Sequence, residues 1–180
     1  MPTTSEARPG RCPACDAAGH VVGAPVTLVG HGVRDRQVRG PTEAGAAPRV
    51  ITILTRRFRC RPCRAVFSVV PRGLTARRHF SASAIGLGLL LYGVERRRAA
   101  EVAKEVGLWG PPPSAWRTLA RWSQAVEVGT LLVRARVRAG PSEWPRRERA
   151  SRAAMTLAAL APSSSGPIAS RVMAGAALAA

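Results

Sequence analysis

The sequence predicts an α+β chain. A cysteine-bearing β-hairpin domain (residues 1–80) leads into an all-α region (81–127) and an Arg/Ala-rich helical tail (128–180), the tail open to partial flexibility. Three observations predict this order. All four cysteines fall into two C-x-x-C pairs within the first 63 residues. Runs of β-branched residues flank the second pair. From Ser81 onward the apolar spacing becomes helical, and the segments are punctuated by Gly and Pro.

In the first domain, Arg49–Phe58 is a β-branched run and reads as a strand. Cys60–Cys63 forms a turn, and Ala65–Val70 is a second strand stopped by Pro71. Residues 40–48 are a loop by composition. Ser81 suits an N-cap for a helix over Ala82–Tyr92 that is apolar nearly all round, hence buried, and that ends at Gly93. A second helix is expected over Arg96–Val106, stopping at Gly107. Leu108-Trp-Gly-Pro-Pro-Pro113 cannot be helical, and Ser114 caps a third helix running to Val126. Beyond it, Val133, Ala135 and Val137 alternate with Arg134, Arg136 and Arg138. That pattern fits a strand, but continuation of the third helix past Gly129 is the preferred reading. Pro145 suits the first position of a helix over Arg146–Ala161. A Pro/Ser/Gly linker, residues 162–167, precedes a short Ala-rich helix.

Composition bounds the function. Lys and Arg number 28 against 10 acids, a formal charge of +18. The imbalance is +10 in residues 1–80, +2 in 81–127 and +6 in 128–180. Such a balance points to an acidic partner, nucleic acid before membrane. Lys104 is the one lysine, so part of the Arg excess reflects GC-rich coding, but the shortage of acids remains. Met1–Arg11 is polar with Pro2 and Pro9, and does not read as a secretory signal. The longest apolar run, Ala84–Val94, has 11 residues, short of the ~20 that span a bilayer. A cytoplasmic, nucleoid-associated location with reduced cysteines is expected, with no membrane partner and no small-molecule substrate.

Cys12-Pro-Ala-Cys15 and Cys60-Arg-Pro-Cys63 carry the clearest chemistry. A C-x-x-C turn aims two thiolates at one point, and two such turns complete a tetrahedral S₄ shell. One structural Zn²⁺ is the expected occupant; iron–sulfur or redox use are the alternatives. Two disulfides do not suit a reducing compartment, and neither pair opens a helix in a βαβ setting as a redox pair does. Four thiolates close the shell, so His20, His31 and His79 are read as surface residues, and no catalytic residue is assigned.

Two basic features point to duplex DNA. Around the third helix, Trp116, Leu119, Trp122 and Val126 would pack inward, leaving Arg117, Arg121 and Gln124 on the opposite face. Arg and Gln are side chains that read guanine and adenine edges in a helix-turn-helix. The alternative is an ordinary bundle with a solvated Arg face. Arg49–Arg78 holds nine Arg and no acid, with Arg56, Arg57, Arg59, Arg61 and Arg64 around the second knuckle and Arg72, Arg77 and Arg78 beyond it. This stretch reads as a phosphate-contacting strip, or as a solvated face in an Arg-rich proteome.

One further order of residues stands out: Cys12-x-x-Cys15, His31-Gly-Val-Arg34, Arg36-x-Val-Arg39, Ile51-x-Ile-x-x-Arg-Arg-Phe-Arg-Cys60-x-x-Cys63, Val66-Phe-Ser and Arg77-Arg78. Over about residues 10–127 it resembles the N-terminal zinc-binding domain and following helix-turn-helix of certain bacterial insertion-sequence transposases. It is also similar to a family of short bacterial proteins with this zinc ribbon and a helical tail. The resemblance implies zinc at Cys12, Cys15, Cys60 and Cys63, and DNA contact near Arg56, Arg57, Arg77, Arg78 and the Arg117 helix. Glycine often follows each knuckle in such proteins, where this chain has Asp16 and Arg64. Their catalytic domain needs three separated carboxylates, whereas residues 128–180 hold only Glu143 and Glu148. The expectation is a non-catalytic DNA-binding accessory factor or remnant. The alternatives are a stand-alone transcriptional regulator and an RNA-binding, ribosome-associated zinc ribbon.

Overall fold

The computed structural model describes residues 2–75, 78–107, 117–138, 140–141 and 143–180. Strands β1 (Leu28–Gly40), β2 (Arg49–Cys60) and β3 (Val66–Val69) form an antiparallel sheet in that order. Helices α1 (Ala82–Gly93), α2 (Ala99–Val106), α3 (Arg117–Glu127), α4 (Arg146–Ala159) and α5 (Ile168–Ala179) follow. The fold is therefore α+β. The chain divides into two compact units, Met1–Gln37 with Thr52–Pro71, and Val38–Ile51 with Arg72–Ala180.

In the first unit the β-branched run becomes β2, and β3 returns along it with Phe58 opposite Phe67 and Arg56 opposite Val69. The two phenyl rings stack 6.4 Å apart. Phe58 is fully buried, with Leu28, Cys12 and Cys60 beside it and Ala7, Ala17, Phe67 and Val69 around them. β1 was not expected from the sequence. Its three glycines and alternating charges carry no strand pattern of their own. Its place comes from partnering β2, where the buried Thr55 hydroxyl donates to the Arg34 carbonyl at 3.0 Å.

The second unit is organised on α1. The Ser81 hydroxyl accepts from the Ala84 amide at 3.1 Å and caps the helix, which is buried on almost every face, as its unbroken apolar run dictates. α2, α3, α4 and α5 all pack on α1, and α4 also packs on α3 and α5. Backbone approach is close enough to require glycine at two positions. A Cβ on Gly93 would sit 2.2 Å from the Ser151 amide nitrogen, and one on Gly175 would sit 1.8 Å from the Leu157 carbonyl oxygen. Leu119, Trp122 and Val126 of α3 face inward as expected, and Trp122 meets Phe80 edge-on at 5.0 Å.

Several expectations are corrected. α2 starts at Ala99 rather than Arg96, because Arg96 takes a left-handed turn (φ 58) and the helix is capped at Arg98, whose amide donates to Glu101. It stops at Gly107 as expected, in extended backbone. α3 does not continue past Gly129, which turns left-handed (φ 70) while the Thr130 and Leu131 amides both close on the Ala125 carbonyl. Residues 133–138 are not a strand either. The chain makes a 3₁₀ turn at Val133–Ala135 between left-handed Leu132 (φ 51) and Arg136 (φ 47), which interrupts any extended run. Pro145 occupies the position before α4 rather than its first residue, and α4 ends at Ala159 rather than Ala161. Arg77, the Leu108–Pro113 connection, the Ser114 cap and Trp116 lie outside the described residues. No helix among the described residues is long and apolar enough to cross a membrane.

Candidate metal centre and basic surfaces

The two C-x-x-C segments fold into the same backbone figure. At the first, the Cys12 amide donates to Ala17 O at 2.8 Å and the Asp16 amide to Cys12 O at 2.9 Å. At the second, the Cys60 amide donates to Ala65 O at 2.9 Å and the Arg64 amide to Cys60 O at 3.0 Å. The residue after each second cysteine is left-handed, Asp16 at φ 59 and Arg64 at φ 65. These are the slots where glycine is the easy choice, and the figure forms without it at both. Asp16 is also held by a bidentate Arg11 guanidinium, with both contacts at 2.7 Å, which keeps its carboxyl below the usual range.

The figure brings the sulfurs together. Cys12 Sγ lies 3.7 Å from Cys63 Sγ, Cys15 Sγ lies 3.7 Å from Cys60 Sγ, and all four lie within 4.8 Å of one another. A disulfide needs S–S of about 2.05 Å, so these are four separate thiols. Metal–sulfur bonds of about 2.3 Å in a tetrahedron give sulfur–sulfur edges of roughly 3.8 Å, close to the two shortest spacings here. The first cysteine of each pair is buried and the second exposed. The four cysteines can hold one metal ion, and His20, His31 and His79 are exposed outside the cluster.

The thiols compete electrostatically. Burial pushes Cys12 up, but the Ala14 and Cys15 amides and the Cys15 and Cys60 thiols outweigh it and draw it down to about 7. At Cys60 an amide bond from Cys63 pulls downward, yet burial and the Cys63, Cys12 and Cys15 thiols push it up to about 12. Cys15 is raised as well, its bond from the Ala17 amide outweighed by Cys63, burial and Cys12. One sulfur ionises readily and its neighbours resist a second charge. A divalent cation at the centre would remove that resistance.

The basic residues fall into different circumstances. Arg56 is engaged, its Nε donating to Pro2 O at 2.6 Å and its Nη1 to Thr4 Oγ1 at 3.1 Å. Arg57 and Arg59 are half-buried on β2, and Arg61 and Arg64 are exposed in the second knuckle; none of these four makes an ion pair among the described residues. Arg78 is half-buried. Arg117, Arg121 and Gln124 are exposed on α3, away from its buried stripe. α2 and α3 each pack on α1, and among the described residues they lean on it more than on each other. Sequence reasoning passed over Arg11, whose only signal was an acid in the left-handed slot five residues on. In comparisons with known proteins, the chain matches no family model, no curated protein and no solved structure.

Proposed function

We propose that the chain is a non-catalytic, zinc-stabilised protein that binds duplex DNA, of the kind associated with mobile-element transposases. The observation that carries the DNA reading is the set of arginines on β2 and the second knuckle that make no ion pair among the described residues: Arg57, Arg59, Arg61 and Arg64. Guanidiniums at least partly open to solvent and without acidic partners suit a phosphate backbone and give affinity with little sequence preference. The outer face of α3, with Arg117, Arg121 and Gln124, supplies side chains that read base edges. Zn²⁺ is the proposed ion because a closed tetrahedral S₄ shell is its structural coordination, with no open position for a reacting water. The mobile-element affiliation rests on the order of motifs in the sequence.

Duplex binding measured against salt tests the reading. With about five phosphates neutralised, log K should fall with log salt at a slope of roughly −4 to −5. Arg57→Ala with Arg59→Ala should flatten that slope by up to ~2 and weaken all sequences alike. Arg121→Ala should instead erode sequence preference, by about 1–3 kcal/mol at one base pair. Unchanged duplex binding in both variants, or far tighter binding to structured RNA, would replace this reading with the ribosome-associated one.

A further inference from the structure

We infer that the helical unit carries a second, separate site for a phosphate group, built on Trp144 by Arg138 and Arg152. Arg138, Arg149, Arg152, Trp144, Glu127 and Gly140 line one cavity there. Its volume is only about 10 Å³, room for roughly one water and far below the ~300 Å³ of an enclosing ligand pocket. Such a shape takes a small charged group laid across its mouth. Three arginines and one glutamate are among its lining residues, so arginine outnumbers carboxylate there.

The arginines are not equivalent. Arg149 is committed: it pairs with Glu127 at 3.3 Å and its Nε donates to the Trp144 carbonyl at 3.1 Å. That contact ties down the backbone at Trp144, and the ring itself is confined on one side by Gly140, where a Cβ would come within 2.6 Å of it. Arg152 then rests over that ring, its guanidinium carbon 5.3 Å from the centroid. Stacking on an aromatic face holds a guanidinium without consuming its N–H donors. Arg152 and Arg138 make no side-chain hydrogen bond or ion pair among the described residues. Two forks with free donors, one pre-oriented by stacking, match the bidentate geometry of phosphate oxygens. The turn bringing Arg138 to the cavity is bent by left-handed Leu132 and Arg136, a conformation that bulky side chains adopt at a cost.

The phosphate can come from a nucleic-acid backbone or from a free phosphate or nucleotide. The site does not depend on the ribbon arginines, and its test separates the two. Full-length wild type, Arg138→Gln/Arg152→Gln and Arg152→Lys are compared in two assays. The first is the salt dependence of binding to a 20-base-pair duplex. The second is the melting temperature in inorganic phosphate against chloride of equal ionic strength. If the source is the nucleic-acid backbone, the double variant flattens the log–log salt slope by about 1–2. Arg152→Lys, which keeps charge but loses the fork, keeps the wild-type slope and binds more weakly at every salt concentration. If the source is free phosphate, the duplex slope is unchanged, and phosphate raises the wild-type melting temperature but not that of the double variant. Either result supports the site, and the second does so even if the protein binds no DNA. A double variant that keeps the wild-type helical spectrum and matches wild type in both assays overturns it.

Discussion

The two units of this chain solve the problem of a stable core in opposite ways. In the ribbon, among the described residues, the fully buried apolar cluster is Leu28, Phe58 and two cysteines. In the helical unit the buried cluster takes in 24 of the described residues, centred on α1. A segment of under 60 residues with one buried phenyl ring and one leucine falls well short of offsetting its conformational entropy, and such segments are usually held by disulfides or metal. The helical unit, with its larger buried cluster and close backbone contacts, is expected to stand without a cross-link. The cysteines are accordingly confined to the unit with the smaller core.

The largest expected effect follows from that contrast. Removing metal with a chelator, or replacing Cys60 with Ser, should cost the ribbon on the order of 10 kcal/mol of apparent folding free energy. Amide exchange should become fast in β2 and β3 while α1 stays protected and the helical spectrum barely changes. Metal analysis under reducing conditions should return one zinc per chain. Acid should act in the same direction. A thiol must lose its proton to bind, Cys12 does so near 7 and Cys15 and Cys60 do so less readily. Metal binding is therefore strongest at alkaline pH and weakens as pH falls, with Cys12 adding a further competing proton near 7. If α1 loses protection together with β2, the contrast between the units fails.

The mirror experiment strikes the helical unit. Gly175→Ala would put a methyl against the Leu157 carbonyl, where the obstacle is backbone and cannot swing away. About 3 kcal/mol of destabilisation is expected, from overpacking that has to move a helix. Zinc affinity, measured by competition with a chromophoric chelator, should not change. A parallel loss of zinc affinity would mean the two units fold as one.

Much of this contrast was legible in the residues. The cysteine spacing predicted the cluster because a C-x-x-C turn leaves few geometries. Ser81 and the unbroken apolar run after it predicted a capped, buried α1 because both signals are local. β2 and β3 were readable from β-branched content on either side of a turn. What failed was decided by tertiary contact. β1 has no apolar alternation and is a strand because β2 lies beside it. The segment after α3 carries a strand-like alternation that the fold does not use: Leu131 and Leu132 are buried, and the chain turns left-handed at Leu132 and Arg136. The Trp144–Arg152 stack was invisible because eight residues of sequence separation say nothing about a ring lying over a guanidinium.

The smallest expected effect separates stability from binding inside the ribbon itself. Arg64 holds a left-handed backbone that costs an L-residue about 1–2 kcal/mol, whereas glycine adopts it freely but gives up roughly 0.5–1 kcal/mol in unfolded-state entropy. Arg64→Gly should therefore stabilise the metal-loaded ribbon, by about 0.5–1 kcal/mol. Asp16→Gly should gain less, because Asp tolerates that region better than Arg and the change also removes the bidentate Arg11 contact. The same Arg64→Gly change deletes an exposed guanidinium beside the knuckle, so the salt slope of duplex binding should flatten by about 1. A tighter fold with weaker DNA binding would mark Arg64 as a residue whose charge outweighs its backbone cost. A variant that gains stability and keeps the full salt slope would remove Arg64 from the phosphate-contacting set and confine that role to Arg57, Arg59 and Arg61.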